Sequence, residues 1–262
     1  MKIGFIGCGK MGGSILSKIN GKVFATEDIL VYELNEEIKN NLKKQGVTVV
    51  GALKDLTVCD VLLIAVKPQD FNALLENMKS FAGGKVIISI AAGIKISTIE
   101  KVIQGAKVAR VMPNTAALIG EASSVISFNE RIENSEKELV KNIINAIGKS
   151  AIIDESLMDE VIPIGGSFTA FQYYFYKGFL ESSLKRGVPF DVCKRLLVQS
   201  IIGSAKMIES SEKDIDALIS DVCSKGGTTL AGLKEFEDNN LLEIIDKCAV
   251  SCRNRSEELG KN

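Results

Sequence analysis

Two glycine-rich stretches, one near each end of the chain, carry the residues that could do chemistry. GCGKMG, Gly7 to Gly12, follows the apolar run KIGFI and opens a helical stretch from about Lys10 to Ile19. In that setting Gly7 allows a tight turn, Gly9 lets backbone approach a pyrophosphate, and Gly12 lets the helix pack on the strand. The helix start adds free N–H groups and the positive end of the dipole. Glu33 ends the strand-like run ILVYE, 21 residues past Gly12. A carboxylate at that distance can accept hydrogen bonds from adenosine ribose hydroxyls and repels a 2′-phosphate, so it favours NADH over NADPH. The second stretch is CSKGGTTLAGL, Cys223 to Leu233. Gly226 and Gly227 permit close backbone approach, and Thr228 and Thr229 offer hydroxyls and N–H groups at a helix start. Such a site suits a substrate carboxylate. The competing reading is plain threonine capping beside a glycine turn.

The chain has no histidine. That removes His-based triads and HExxH zinc sites, and leaves backbone donors, hydroxyls, carboxylates, lysines or a cofactor. Six cysteines, Cys8, Cys59, Cys193, Cys223, Cys248 and Cys252, form no CxxC pair and no zinc spacing. They read as reduced, mostly buried small apolar residues, and no metal is expected. A net charge of -1 gives no electrostatic reason to expect nucleic acid or an anionic membrane surface. The longest apolar run, VLLIAV, is far short of the ~20 residues that span a bilayer. Glycines and Lys10 interrupt the N-terminus too early for a signal peptide, so the expected location is cytoplasmic.

The elements that must position these residues are legible as alternation. VLLIAV (61–66), KVIISI (85–90) and KVARVM (107–112) read as buried parallel strands. Helical stretches lie near 36–45, 71–78, 97–103 and 135–147, the last preceding SAIID. The result is a doubly wound α/β domain over residues 1–155. Ligands on such sheets sit at the carboxyl ends of the strands. There the chain places Lys67 and Pro68, then Ala91, Ala92 and Gly93, then Pro113, Asn114 and Thr115. Small residues, prolines and one amide collect where a nicotinamide ring should lie.

From about Met158 the strand signals stop, and residues 156–262 read as helical. LLEIIDKCAVSC puts Leu241, Ile244, Ile245, Cys248, Ala249 and Cys252 on one stripe. VCKRLLVQSIIGSAKMI is apolar on more than one face, and FTAFQYYFYKGF is dense in aromatics. A helix apolar all round needs a large core or a partner. A small helical domain offers little core, which favours a homodimer interface over an intrachain one. RGVPFD reads as a helix break with Asp191 capping the next helix.

At this point the chain resembles the pyrroline-5-carboxylate reductases over nearly its full length. GFIGCGKMG, AVKPQ, ISIAAGI, RVMPNTAALIGE, GSAKM and SKGGTTLAGL carry the resemblance, in that order. It implies an N-terminal Rossmann domain with a doubly wound parallel sheet and a C-terminal all-helical dimerisation domain. It also implies NADH- or NADPH-dependent reduction of the cyclic imine 1-pyrroline-5-carboxylate to L-proline. The oligomer would be a homodimer or a larger assembly built from dimers. By position, Gly7, Gly9, Lys10 and Met11 would hold the pyrophosphate. Ala65, Val66, Lys67 and Pro68, with Ala91, Ala92 and Gly93, would flank the nicotinamide ribose and ring, and Met112, Pro113 and Asn114 would sit near the ring. Val222, Gly226, Gly227, Thr228 and Thr229 would bind the imino acid, with Thr229 the hydroxyl nearest the ring nitrogen. An iminium is already electrophilic, which fits a chain without histidine.

The chain departs from the family pattern at several places. GGSFTAF stands where SGSGPAY is usual, so Phe168 replaces a glycine and Thr169 a proline. Ile219 and Ser220 stand where a Lys-Asp pair is usual, Lys225 replaces a proline, and Lys10 replaces the glycine-loop asparagine. Two rivals stay open: reduction of a different cyclic imine acid, and a nucleotide-binding paralogue without turnover. A β-hydroxyacid dehydrogenase shares the two-domain plan, but its lysine pattern is not met, since Lys177 is followed four residues on by Glu181.

Overall fold

The structure, a computed structural model, describes residues 1–259. The chain divides into two compact units, 1–169 with 251–262 and 170–250. The three terminal residues, 260–262, lie outside the described residues.

In the first unit strands and helices alternate. They run β1 (Ile3–Ile6), α1 (Lys10–Ile19), β2 (Ile29–Tyr32), α2 (Glu36–Lys44), β3 (Thr48–Val49), β4 (Val61–Ile64), α3 (Pro68–Met78), β5 (Val86–Ser89), α4 (Ile96–Val102), β6 (Lys107–Met112), β7 (Ala122–Phe128), α5 (Asn134–Asn145) and β8 (Gly148–Ile152). The sheet order is β3-β2-β1-β4-β5-β6-β7-β8. Chain order reverses direction between β1 and β4, which makes that gap the topological switch point. Every neighbouring pair is parallel except β6 with β7. The sequence reading contained neither β3 nor β7. β3 is two residues long, and β7 (ASSVISF) has serines on both faces, so neither alternation nor an apolar run marks it.

Successive strand residues feed opposite cores because side chains alternate across a strand. Ile3, Phe5, Val61, Leu63, Val86 and Ile88 pack with Ile15, Leu16 and Ile19 of α1 and with Val140, Ile143 and Ile144 of α5. Leu62, Ile64 and Ile87 pack instead with Phe71, Leu75 and Met78 of α3 and Ile96 and Ile99 of α4. The strands therefore carry aliphatic side chains on both faces. Each such side chain taken from water stabilises by about 1.5–3 kcal/mol.

The second unit is helical, built from α6 (Phe168–Lys185), α7 (Phe190–Ser210), α8 (Ile215–Val222), α9 (Thr228–Asp238) and α10 (Leu241–Leu259), the first and last of which extend into residues of the first unit. Among residues 170–250 Cys193 is the one buried residue. Phe175 and Phe236 meet edge to face at 6.5 Å, yet both rings are more than a third exposed. Asp191 does not cap α7. The cap position falls on Pro189, and Asp191 sits in the first turn, where its charge still complements the dipole. Proline fixes the extended entry two residues earlier than the sequence reading placed it. Among the described residues no helix is long and apolar enough to cross a membrane.

Candidate active site

The glycine loop lies at the switch point. Gly7 has φ +82°, and an added Cβ would stand 2.9 Å from the Ala65 carbonyl oxygen. At Gly12 a Cβ would stand 2.8 Å from the Gly7 carbonyl oxygen and 3.0 Å from the Ala65 Cβ. Gly9 differs: nothing lies within 4 Å of where its Cβ would be. The outer glycines are thus required by the protein's own packing, while the middle one leaves open space in front of the loop. Gly9 is also the cap residue of α1, and it brings no side-chain acceptor. The first-turn amides at Lys10, Met11 and Gly12 have no intrahelical partner and face an anion-ready helix start. Lys10 is exposed, and a cation at this end of a helix opposes the dipole unless an anion joins it.

Glu33 stands just past β2. Its Oε2 accepts the backbone N–H of Cys8 at 2.6 Å. Its Oε1 accepts those of Leu34 and Asn35 at 2.7 and 2.9 Å. The carboxylate therefore braces the glycine loop as well as bordering it. A carboxylate has about four lone-pair sites, so one remains for a ribose hydroxyl. Beside it the buried Cys8 thiol is pushed from 9.0 up to about 12, first by burial and then by the Glu33 charge, so it stays protonated.

The other strand ends stand in register. Ile6 pairs with Ile64, Ile64 with Ser89, and Ser89 with Arg110. Gly7, Ala65 and Ile90 therefore leave the sheet in one row, followed by Val66, Lys67 and Pro68 on one strand and Ala91, Ala92 and Gly93 on the next. Pro68 is the first residue of α3, where its missing N–H costs nothing. Gly93 takes φ +76°. Met112 ends β6, and Pro113 and Asn114 follow it. Asn114 is buried; its Oδ1 accepts the Ala116 N–H at 3.2 Å and its Nδ2 donates to the Gly165 carbonyl at 3.0 Å. The cofactor-site residues named from sequence are thus gathered along one edge of one sheet.

Val222, Gly226, Gly227, Thr228 and Thr229 belong to the second unit. Val222 ends α8 and is 62% exposed. Gly226 has φ +72°, which favours glycine, and a Cβ on Gly227 would crowd Ser224, 3.0 Å from its carbonyl oxygen. The cap of α9 falls on Gly227, so Thr228 and Thr229 are the first helical residues and their hydroxyls are not used as caps. This removes the plain-capping reading and leaves first-turn amides and two hydroxyls at the helix start. Sequence reasoning gave no role to Arg110, which is buried with Glu155 as its ion-pair partner at 3.0 Å. The signal was a charge at the centre of KVARVM, between Ala109 and Val111, where an apolar residue is expected.

A doubly wound sheet with a phosphate-ready glycine loop at its switch point defines a dinucleotide-binding protein of the Rossmann class. Comparison with known proteins narrows the class. Residues 155–259 match the family model described as pyrroline-5-carboxylate reductase dimerisation, and residues 2–93 match that described as NADP oxidoreductase, coenzyme F420-dependent. The pyrroline-5-carboxylate reductase of Staphylococcus saprophyticus is 34% identical over 99% of this chain and 98% of its own. That of Synechocystis is 31% identical over 100% and 99%. Among solved structures, the Plasmodium falciparum pyrroline carboxylate reductase with NADP bound aligns at TM-score 0.89 and 29% identity, covering 99% of this chain and 98% of that one. The Coxiella burnetii pyrroline-5-carboxylate reductase aligns at TM-score 0.92 and 26% identity, covering 100% and 99%. This chain belongs to the pyrroline-5-carboxylate reductase family.

Proposed function

We propose that this chain reduces 1-pyrroline-5-carboxylate to L-proline by hydride transfer from NADH or NADPH. The observation that carries the reading is the glycine loop, crowded at Gly7 and Gly12 and open at Gly9, in a chain of this family. The bound dinucleotide supplies the hydride. The amides of Lys10, Met11 and Gly12, with the Lys10 ammonium, hold the pyrophosphate. Ala65, Val66, Lys67 and Pro68 and the turn Ala91, Ala92 and Gly93 flank the nicotinamide riboside, and Met112, Pro113 and Asn114 border the ring. Gly226, Gly227 and Thr228 present backbone N–H groups to the substrate carboxylate. Thr229 holds the proton on the ring nitrogen as the imine carbon gains hydride. Val222 lines the apolar side of the ring. The chemistry needs orientation more than acid–base exchange, which suits a chain with no histidine.

Glu33 favours NADH, because a fixed carboxylate at the ribose repels a 2′-phosphate. By function we divide the chain into a dinucleotide-binding domain, 1–155, and a helical dimerisation and substrate domain, 156–262; the family match over 155–259 supports the second, although the compact units divide at residue 170. The exposed apolar faces of α6 to α10 support a homodimer, or a larger assembly of dimers. A location in the cytoplasm fits a reaction whose cofactor and substrate are soluble.

The test is loss of reduced-nicotinamide absorbance with purified protein, pyrroline-5-carboxylate and each cofactor in turn. Turnover that is faster with NADH supports the whole reading. Turnover with NADPH alone sinks the Glu33 preference. Cofactor binding without turnover sinks the substrate, and a panel of cyclic imines then asks which substrate the chain accepts.

A further inference from the structure

Arg110 is the anomaly of the first unit. Its neighbours Val108, Ala109 and Val111 are buried and apolar, yet its guanidinium is buried with them, the side chain 8% exposed. A buried ion pair is weak evidence for stability, because packed apolar residues do as well without the desolvation penalty. The charge therefore calls for another reason.

That reason lies in what the partner does. Arg110 Nη1 donates to Glu155 Oε1 at 3.0 Å. The same oxygen accepts the backbone N–H of Ile96 at 2.8 Å. Ile96 is the first residue of α4, and the cap residue Lys95 offers no side-chain acceptor. Glu155 thus performs the capping from 59 residues away, and Arg110 aims it. The opposite side of the guanidinium is steadied by Asp159, at 4.0 Å, whose Oδ1 also accepts the Ser256 hydroxyl at 2.8 Å. The helix start fixed in this way lies three residues past Gly93. It closes the turn Ala91–Gly93, whose backbone is already committed by the positive φ of Gly93.

The connector between β8 and α6, residues 153–167, which carries Glu155, meets the end of β6 at a second point. Met112 lies against Gly165 and Gly166, where added Cβ atoms would come within 3.6 and 3.7 Å of its thioether. Asn114 donates to the Gly165 carbonyl at 3.0 Å. Arg110, Met112 and Asn114 are alternate residues, so one side of the end of β6 seats both the connector and the start of α4.

We propose that Arg110 and Glu155 are positioning residues for the turn Ala91–Gly93, and that cofactor affinity depends on their pairing. This rests on the reading that the turn borders the nicotinamide. Neither residue touches the reacting atoms; both act through the Ile96 amide. The pair sits outside every motif that marks the loop itself.

The test uses Arg110→Met, Arg110→Lys, Glu155→Leu and Glu155→Gln in the full chain. Three quantities are read: amide hydrogen exchange over residues 91–96 without cofactor, NADH dissociation constant by fluorescence, and thermal midpoint. Arg110→Met and Glu155→Leu should speed exchange at 91–96 about tenfold or more while leaving residues 10–16 of α1 unchanged. Their NADH dissociation constants should rise about tenfold, the scale of a small misplacement at a binding edge. Glu155→Gln retains an acceptor for Ile96, so it should fall between them and wild type, and Arg110→Lys should recover part of the affinity. A lower thermal midpoint with exchange at 91–96 and NADH affinity unchanged would make the pair structural only and overturn the proposal. Should Arg110→Met fail to fold, Glu155→Gln against Glu155→Leu decides the same point. Exchange is measured without cofactor or substrate, so it tests the latch even where the proposed reaction fails. Loss of protection with unchanged affinity would place the fault in the nicotinamide reading of the turn.

Discussion

The two units use apolar residues in opposite ways. In residues 1–169 the strands bury aliphatic side chains on both faces, with Ile3, Phe5, Leu62, Leu63 and Ile64 at 0–1% exposure. In residues 170–250 helices that also carry many large apolar side chains bury Cys193 alone. Tyr173, Tyr174, Leu196, Ile201, Ile202 and Leu230 are each 41–77% exposed. Large apolar side chains exposed in such number call for an explanation. The lesson is that hydrophobic content says a residue will be buried, not in which molecule. The first unit buries its core within one chain, and the second leaves large apolar side chains uncovered.

Four experiments break or sharpen that contrast. The largest effect is expected at the helical unit. Ile201→Glu with Ile202→Glu should convert a dimer to monomer, since an uncompensated buried charge costs about 3 kcal/mol or more, near 100-fold or more in association. Light scattering reads the mass. NADH binding should survive, because the glycine loop lies in the other unit; a dimer of unchanged affinity would show that the exposed faces of α7 are not the interface.

Leu63→Ala is the counterpart in the first unit. It should lower stability by about 2–5 kcal/mol in denaturant unfolding, with the oligomer unchanged. Next come the glycines. Gly7→Ala meets both a positive φ and the Ala65 carbonyl, so it should lower the thermal midpoint as well as binding. Gly9→Ala meets nothing within 4 Å, so it should keep the thermal midpoint and weaken NADH binding alone. Equal stability losses at both positions would mean that the space before Gly9 is not a ligand site.

The smallest effect concerns Cys8. Its pKa in the fold is raised from 9.0 to about 12 by burial and by Glu33. A raised value means the folded state holds its proton longer than the unfolded chain does. The stability this contributes is complete below pH 9 and lost as pH rises toward 12. Cys8→Ala should flatten that alkaline fall, measured by thermal midpoint against pH, and an unchanged slope would assign it to other groups such as Cys59, whose pKa burial raises to about 11.

Local pattern and spacing determined much of this protein. GCGKMG after KIGFI placed a turn, an open approach and a helix start correctly, because each demand falls on a single residue's backbone. The helix start at Lys10 and the strand at Ile29 are legible for the same reason. The ends of α2, α3, α4 and α5 moved by one to three residues, as helix ends do when caps are weak. Tertiary structure decided the rest. The antiparallel β7 has no period of its own, and its partner β6 supplies its place. The cap of α7 fell on Pro189 because chain entry, not side-chain chemistry, sets it. That the threonines of GGTT are left free of capping follows from the Gly227 backbone. The Arg110–Glu155 pair joins residues 45 apart, and only the folded sheet brings a buried cation, a remote carboxylate and an orphan amide to one point. Local signals are written in neighbouring residues; a buried charge finds its reason only in what the fold puts beside it.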